Sequence, residues 1–516
     1  MSLMDCRTGS IMFFVILVWI LTAGTNTNAQ CPFLLTPSQV APSSTSTFQV
    51  NSAELDSIVA NFLNVTAQNG IPSYAVAVVY QNETIYTSGL STTPFRCASQ
   101  TKTFTALGAL MLRERGLLSL DDPVNKFLSD FSVISPYGEH NTTIRELMAH
   151  VSGLPMQLCP FLQTCTDNET EILQQISGMA LVRPPWSSQP VYSNLGIALL
   201  GHTWEKATSP QVTWWDFIRD NVVTPLRMTN TGIDLTDVVL ADNTDPFALQ
   251  DLGWSAPAAQ MYTTAEDLAK FLAFVITGNP PLISDASRRE WIRPTKLFSD
   301  GQSGYAMPWE LYKLPNVTAD FIISKFGNIN SYLSHMAFHQ GTQLGVVVLT
   351  VYNKAGIPGP DALANAILTA LIPEVENSNN QTISQIYDGL YQCAPSPGFA
   401  SPTLNYTVAV LGGTISVTSN DSLGLSATLS VTLRQTGGQP YVAAGGPLGL
   451  LLKNATENSF WFGDSSVCMW YYSGLSGGPN LRTPNTPDTF YTNEIIFDLA
   501  TSSVSWPAVG ANCTRS

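Results

Sequence analysis

Between Pro373 and Thr382 the chain changes character, and that change limits its fold more than any other feature. Upstream, helical and strand patterns alternate. Leu55, Ile58, Val59, Phe62 and Val65 fall at helical spacing within residues 52–65. Residues 74–80 form an unbroken apolar run that predicts a buried strand, and a turn at Gln81 and Asn82 leads to a second strand over 84–86. A long helix is expected from about 99 to 115, with others over 143–148, 169–179, 195–207 and 264–275. The last opens with Thr264-Ala-Glu-Asp267, a helix-start signature. Strand patterns return over 321–325, 332–339 and 344–351. The polar stretch 373–382 reads as a linker or domain edge. Beyond it, residues 405–419, 423–434, 460–472 and 492–499 alternate or run β-branched and aromatic between Gly, Pro and Asn clusters. The pattern predicts an α+β domain over 30–375 followed by a small all-β domain, antiparallel, over 385–516.

With 44% apolar and only 12% charged residues among 516, the chain can bury a large core, which excludes wholesale disorder. A net charge of −15 with 23 Lys plus Arg leaves no general basic face, so no nucleic-acid partner is expected. Residues 11–23 are almost wholly apolar, preceded by Arg7 and followed by a short polar stretch ending at Ala29. That layout predicts a secretory signal peptide over 1–29. The run is shorter than the roughly 20 residues of a membrane span; the alternative is an uncleaved signal anchor, and no other membrane contact is expected.

Asn-x-Ser/Thr acceptors at Asn64, Asn82, Asn141, Asn168, Asn316, Asn380, Asn405, Asn420, Asn454 and Asn512 agree with a secreted, extracellular glycoprotein. Of eight cysteines, Cys6 would leave with the leader, so at least one of the remaining seven is unpaired or pairs with another chain. Cys159 and Cys165 are the expected intrachain disulfide, and Cys393, Cys468 and Cys513 could supply another. No Cys-x-x-Cys occurs, and His335 and His339 find no third ligand, so neither a metal nor a cofactor is expected.

The informative segment is Phe95-Arg-Cys-Ala-Ser99-Gln-Thr-Lys102-Thr-Phe-Thr-Ala. A serine and a lysine three apart on a helix share one face, close enough to pass a proton. At a helix start the serine amide also faces a developing oxyanion. An amine becomes a base for the hydroxyl once it is desolvated or crowded by cations. Lys102 alone among the lysines has a serine three residues earlier, yet one such match is expected by chance and a surface helix would carry it equally well.

Context supplies the rest. The string continues through Glu114-Arg-Gly-Leu-Leu-Ser-Leu-Asp-Asp-Pro-Val-Asn-Lys-Phe-Leu128, then Ile144-Arg-Glu-Leu-Met-Ala-His-Val-Ser-Gly-Leu-Pro155. It resumes at Tyr192-Ser-Asn194-Leu-Gly and at Tyr262-Thr-Thr-Ala-Glu-Asp-Leu-Ala-Lys-Phe-Leu272. Over roughly 50–370 the chain resembles the serine β-lactamase and penicillin-binding-protein superfamily, especially its class C and esterase-like branch. The resemblance implies an antiparallel sheet flanked by helices plus an all-helical subdomain.

It also implies roles. Ser99 would be the nucleophile, with Lys102 and Tyr192 relaying protons, and Asn194 would hydrogen-bond Lys102 and the acyl side of the substrate. Lys325-Phe-Gly327 matches the family's third element, ahead of the competing Lys354-Ala-Gly356 and His339-Gln-Gly341. Lys325 would favour a deprotonated Tyr192 or Lys102, although a lysine closing an edge strand is the plainer reading. Gly327 belongs to that element, and Asn328 would supply an oxyanion N–H beside that of Ser99. Phe326 replaces the usual Thr or Ser, whose hydroxyl helps β-lactamases hold a substrate carboxylate. His150 matches a family signature taken as structural support. Two functions follow as expectations. One is a serine hydrolase acting through an acyl-enzyme on a small-molecule or peptide ester or amide. The other is a catalytically silent binding or scaffold protein. No oligomeric state is assigned.

Overall fold

The computed structural model describes residues 48–387 apart from 68–72, 159–165, 209–211, 353–357 and single positions 188, 237, 239, 243, 244, 246 and 319; beyond 387 it describes the backbone of strands between 389 and 515. The leader, most of the segment 30–50, and the Cys159, Cys165 and Cys468 assignments lie outside the described residues. The chain divides into two compact units, one spanning Thr45–Asn379 and the other including Asn380–Ser516.

In the first unit, helix α1 (Ser52–Ala67) precedes the hairpin of β1 (Ser73–Tyr80) and β2 (Glu83–Gly89). Short strand β3 (Phe95–Arg96) leads through a single 3-10 turn (Ala98–Gln100) into α2 (Thr101–Glu114). Helices α3 (Ile144–Met148), α4 (Glu169–Ser177) and α5 (Asn194–Thr208) follow, then β4 (Tyr262–Thr263), α6 (Ala265–Thr277) and α7 (Asp285–Ile292). Strands β5 (Lys296–Leu297), β6 (Ser303–Tyr305), β7 (Glu310–Tyr312), β8 (Ile322–Ile329), β9 (Tyr332–His339) and β10 (Leu344–Val351) complete the sheet, and α8 (Pro360–Tyr387) follows, its residues through Asn379 belonging to this unit. The order is β2-β1-β10-β9-β8-β7-β6-β5, antiparallel at every pairing.

Both faces of this sheet are covered. Along β1, Ala75, Ala77 and Val79 join the larger core with α2, α5 and α6, while Val76, Val78 and Tyr80 join a second core with α1 and α8. That two-sided burial is why β1 and β10 read as continuous apolar runs rather than alternating ones. Gly345 on β10 lets α6 approach, since a Cβ there would lie 2.7 Å from a Leu272 methyl. Phe104 of α2 stacks on Phe271 of α6 at 4.0 Å between centroids, and burial of each ring contributes about 2 kcal/mol.

Local rules set the helix ends. Thr143 caps α3 in a reciprocal box with Glu146. The Thr264 hydroxyl accepts the Asp267 amide, and α6 stops at Gly278 with φ +77°.

Two expectations are corrected. Residues 373–382 are a domain edge, since the division between the units falls at Asn379 and Asn380, but not an irregular linker: α8 runs through them with Pro373 inside. Leu368, Leu371, Ile372 and Val375 keep a buried helical stripe while the proline faces solvent. The strand that carries Lys325 also extends four residues further, to Ile329, and lies between β7 and β9, so Lys325 does not close an edge.

The second unit contains a nine-stranded antiparallel sheet running from β11 (Gly389–Pro395) to β19 (Ala511–Arg515), which pair with each other. Their register sets Cys393 opposite Cys513.

Candidate active site

The nucleophile candidate sits where a strand becomes a helix. Ser99 is half-buried on the 3-10 turn, and Lys102 lies wholly buried in the first turn of α2. Ala98, just before the serine, holds φ +48°, a conformation uncommon outside glycine. The Lys102 ammonium donates to Ser99 Oγ at 2.9 Å and to the Ala258 carbonyl at 2.8 Å. The bond expected to Asn194 is replaced by this carbonyl. Asn194 instead starts α5, its amide donating to Met156 O at 2.8 Å.

Strand β8 runs close to the serine. A Cβ on Gly327 would stand 2.4 Å from Cys97 O, 2.3 Å from Ser334 Oγ and 3.2 Å from the Ser99 nitrogen. Only glycine permits that approach. Asn328, next along the strand, is exposed. Phe326 faces away from Lys325 along the strand and its ring lies 6.1 Å from that of His335.

Tyr192 joins the two lysines. Lys102 Nζ and Lys325 Nζ each stand 5.1 Å from its ring centroid. Desolvation raises its phenol, but the ammoniums of Lys102 and Lys325 outweigh that, so it ionises more readily than a free tyrosine. Desolvation, aided by Lys325, pulls the Lys102 ammonium below its usual range, against the attraction of Tyr192. Lys102 is thereby pushed toward the neutral amine that a base requires.

The sequence reading missed Glu310. From β7 it ion-pairs with buried Lys325, and its other oxygen accepts the Phe326 amide at 2.9 Å. Burial disfavours the Lys325 ammonium, but Glu310 and then Tyr192 hold its pKa well above the ordinary lysine value. Lys325 therefore remains a fixed cation that lowers the Tyr192 pKa, with a counter-ion that the sequence reading did not include. The available signal was a lone carboxylate in the alternating segment Trp309-Glu-Leu-Tyr312.

Among the described residues no cluster could hold a metal. His335 has no partner at either ring nitrogen, and His339 meets Thr318 and Thr342.

A Ser–Lys–Tyr cluster at the joint of an antiparallel sheet and a helical layer defines the serine β-lactamase/transpeptidase class. The family model "Beta-lactamase" matches residues 55–370, and the chain belongs to that family. It is 28% identical to "Beta-lactamase-like protein 2" of Dictyostelium discoideum, an alignment covering 71% of this chain and 70% of that protein. It is 25% identical to "Protein flp" of Staphylococcus aureus, over 52% and 54% of the two chains. In fold it is similar to the octameric penicillin-binding protein homologue from Pyrococcus abyssi, with TM-score 0.52, 18% identity, and coverage of 90% and 100%. A class C beta-lactamase mutant gives TM-score 0.51 at 20% identity, over 63% of this chain and 99% of that one.

Proposed function

We propose that the protein is an active serine hydrolase that cleaves an ester or amide through an acyl-enzyme on Ser99. The observation that carries this reading is the 2.9 Å bond from the desolvated Lys102 ammonium to Ser99 Oγ beside the Tyr192 ring. In its neutral form Lys102 takes the hydroxyl proton as Oγ attacks the carbonyl carbon. The amides of Ser99 and Asn328 would receive the oxyanion. Ionised Tyr192 relays that proton from Lys102 to the leaving group as the C–O or C–N bond breaks, and water, losing a proton to the same pair, then attacks the acyl-enzyme to release the acid and restore the Ser99 hydroxyl. With Phe326 in place of a hydroxyl residue, a substrate that needs its carboxylate held is disfavoured. Small esters and D-amino-acid amides therefore come before β-lactams.

Labelling with a fluorophosphonate tests this. Reaction of the wild type, lost in Ser99→Ala, is the expected result; a folded wild type that never labels supports the silent scaffold instead. A panel of chromogenic esters, D-amino-acid amides and a cephalosporin then ranks the substrates.

We also propose that the protein is exported and glycosylated. In support, Asn64, Asn82, Asn141, Asn168 and Asn316, the acceptors in the first unit whose exposure is described, are all exposed. Within the same reading, Cys393 and Cys513 are the disulfide pair of the second unit. Directly opposed residues on antiparallel strands have Cα atoms about 4.5–5.5 Å apart, within the span a disulfide accepts.

A further inference from the structure

We propose that His150 is a positioning residue that fixes Tyr192 in place between the two ammonium groups. The inference rests on the hydrolase reading above.

One histidine holds the tyrosine from three directions. Its carbonyl accepts the Val191 amide at 2.9 Å, and its Nδ1 accepts the Ser193 amide at 3.2 Å. The amides on both sides of Tyr192 therefore end on the same residue. Between them the two rings face each other, with centroids 4.6 Å apart and planes inclined by 34°. Ser193 is itself held, its hydroxyl donating to Pro155 O at 2.6 Å and accepting the Gly196 amide at 2.8 Å. The tyrosine thus has little freedom of backbone or ring.

The backbone of His150 takes a cost to do this. Its φ is +57°, in the left-handed region that residues with a side chain rarely occupy. That conformation lets carbonyl and imidazole serve the same segment. The ring is buried and stands edge-on to Tyr305 at 5.8 Å.

Only a neutral imidazole can make the bond to Ser193, because a protonated Nδ1 would set one N–H against another. With Nδ1 as acceptor the proton lies on Nε2, which has no partner. Burial, then the charges of Lys102 and Lys325, holds His150 neutral far below the usual histidine range. Tyr192 and Tyr305 are the titratable rings set against the imidazole, and Glu310 acts on both of them. Asparagine would place an acceptor near the Nδ1 position without the ring, and phenylalanine the ring without the acceptor.

The test compares wild type, His150→Phe and His150→Asn as full-length protein, by fluorophosphonate labelling rate and by steady-state hydrolysis of whichever ester the wild type turns over. His150→Phe is expected to slow labelling and kcat by about 100-fold with KM within about threefold, the size of effect that a displaced catalytic group gives. His150→Asn is expected to recover part of that loss. Both variants at the wild-type rate, or a loss confined to KM, would overturn the proposal. Nitrogen-15 NMR of the wild type covers the case of variants that do not fold: a proton on Nδ1 of His150 between about pH 6 and 8 also overturns it. A wild type that never labels refutes the hydrolase reading instead, and the tautomer measurement still decides the clamp.

Discussion

Lys325 is ion-paired with Glu310 from the neighbouring strand, and its ammonium also lies 5.1 Å from the centre of the Tyr192 ring. The second ammonium near the phenol is thereby partly neutralised. Glu310 raises the Tyr192 pKa while Lys102 and Lys325 lower it. Removing the carboxylate should let the phenol ionise at lower pH. In Glu310→Gln the acid limb of the kcat/KM profile should therefore move to lower pH, read from ester hydrolysis between about pH 5 and 9. The same change leaves a buried ammonium without its counter-ion, so urea unfolding should show a loss of about 3 kcal/mol. An unmoved acid limb with intact folding would separate Tyr192 from the rate-controlling ionisation.

Gly327 tests how closely the strand must lie to the serine. A methyl there meets two backbone or hydroxyl oxygens within 2.4 Å, so the β8 strand must shift away from Cys97 and Ser99. Gly327→Ala should cost about 1–3 kcal/mol of stability and slow Ser99 labelling at least tenfold. Gly301→Ala serves as control: it carries the backbone strain of a positive φ (+62°), which Gly327 does not have, but nothing lies within 4 Å of its would-be Cβ, and labelling should stay unchanged.

Three buried histidines make the first unit sensitive to acid. Burial pushes His335 down to about 3 and His339 down to about 4, and His150 is lowered well below 6.5. The unfolded chain binds these protons near pH 6.5 while the folded chain refuses them. Stability is therefore complete above that pH and is lost as pH falls toward the folded values. Between about pH 6 and pH 4.5, each histidine should remove about 1.4 kcal/mol per pH unit, followed by urea unfolding with tryptophan fluorescence. His335→Gln should flatten that slope by one proton; a slope unchanged from wild type would count against a neutral buried ring.

The proposed pair in the second unit is checked by peptide mapping of secreted, unreduced protein. A linked peptide containing Cys393 and Cys513 is expected, and Cys393→Ser should expose one new alkylatable thiol at Cys513. Labelling of both thiols in unreduced wild type would remove the pair from the proposal.

Much of the frame was legible from local pattern. The runs that became β1, β9 and β10 are apolar enough to name strands, and the Thr264 signature fixed the start of α6. Short β5, β6 and β7 were not read, since two or three residues carry no periodicity. With them went Glu310. The polar run 373–382 does hold the boundary between the units, but its helix was missed for a different reason. Asparagines, serine and an interior proline are local breakers, yet the buried stripe of α8 outweighs them.

The amino-acid order by itself determined which groups are available: a serine and lysine one helical turn apart, a tyrosine at a helix start, and a lysine two residues before a glycine. These are short-range facts, set by spacing along one element. Which groups pair was decided only by the tertiary structure. Ala258 rather than Asn194 receives Lys102, Glu310 neutralises Lys325, and His150 brackets Tyr192. Each partner lies between 15 and 156 residues away in sequence, where electrostatics and burial act through space and leave no periodic trace.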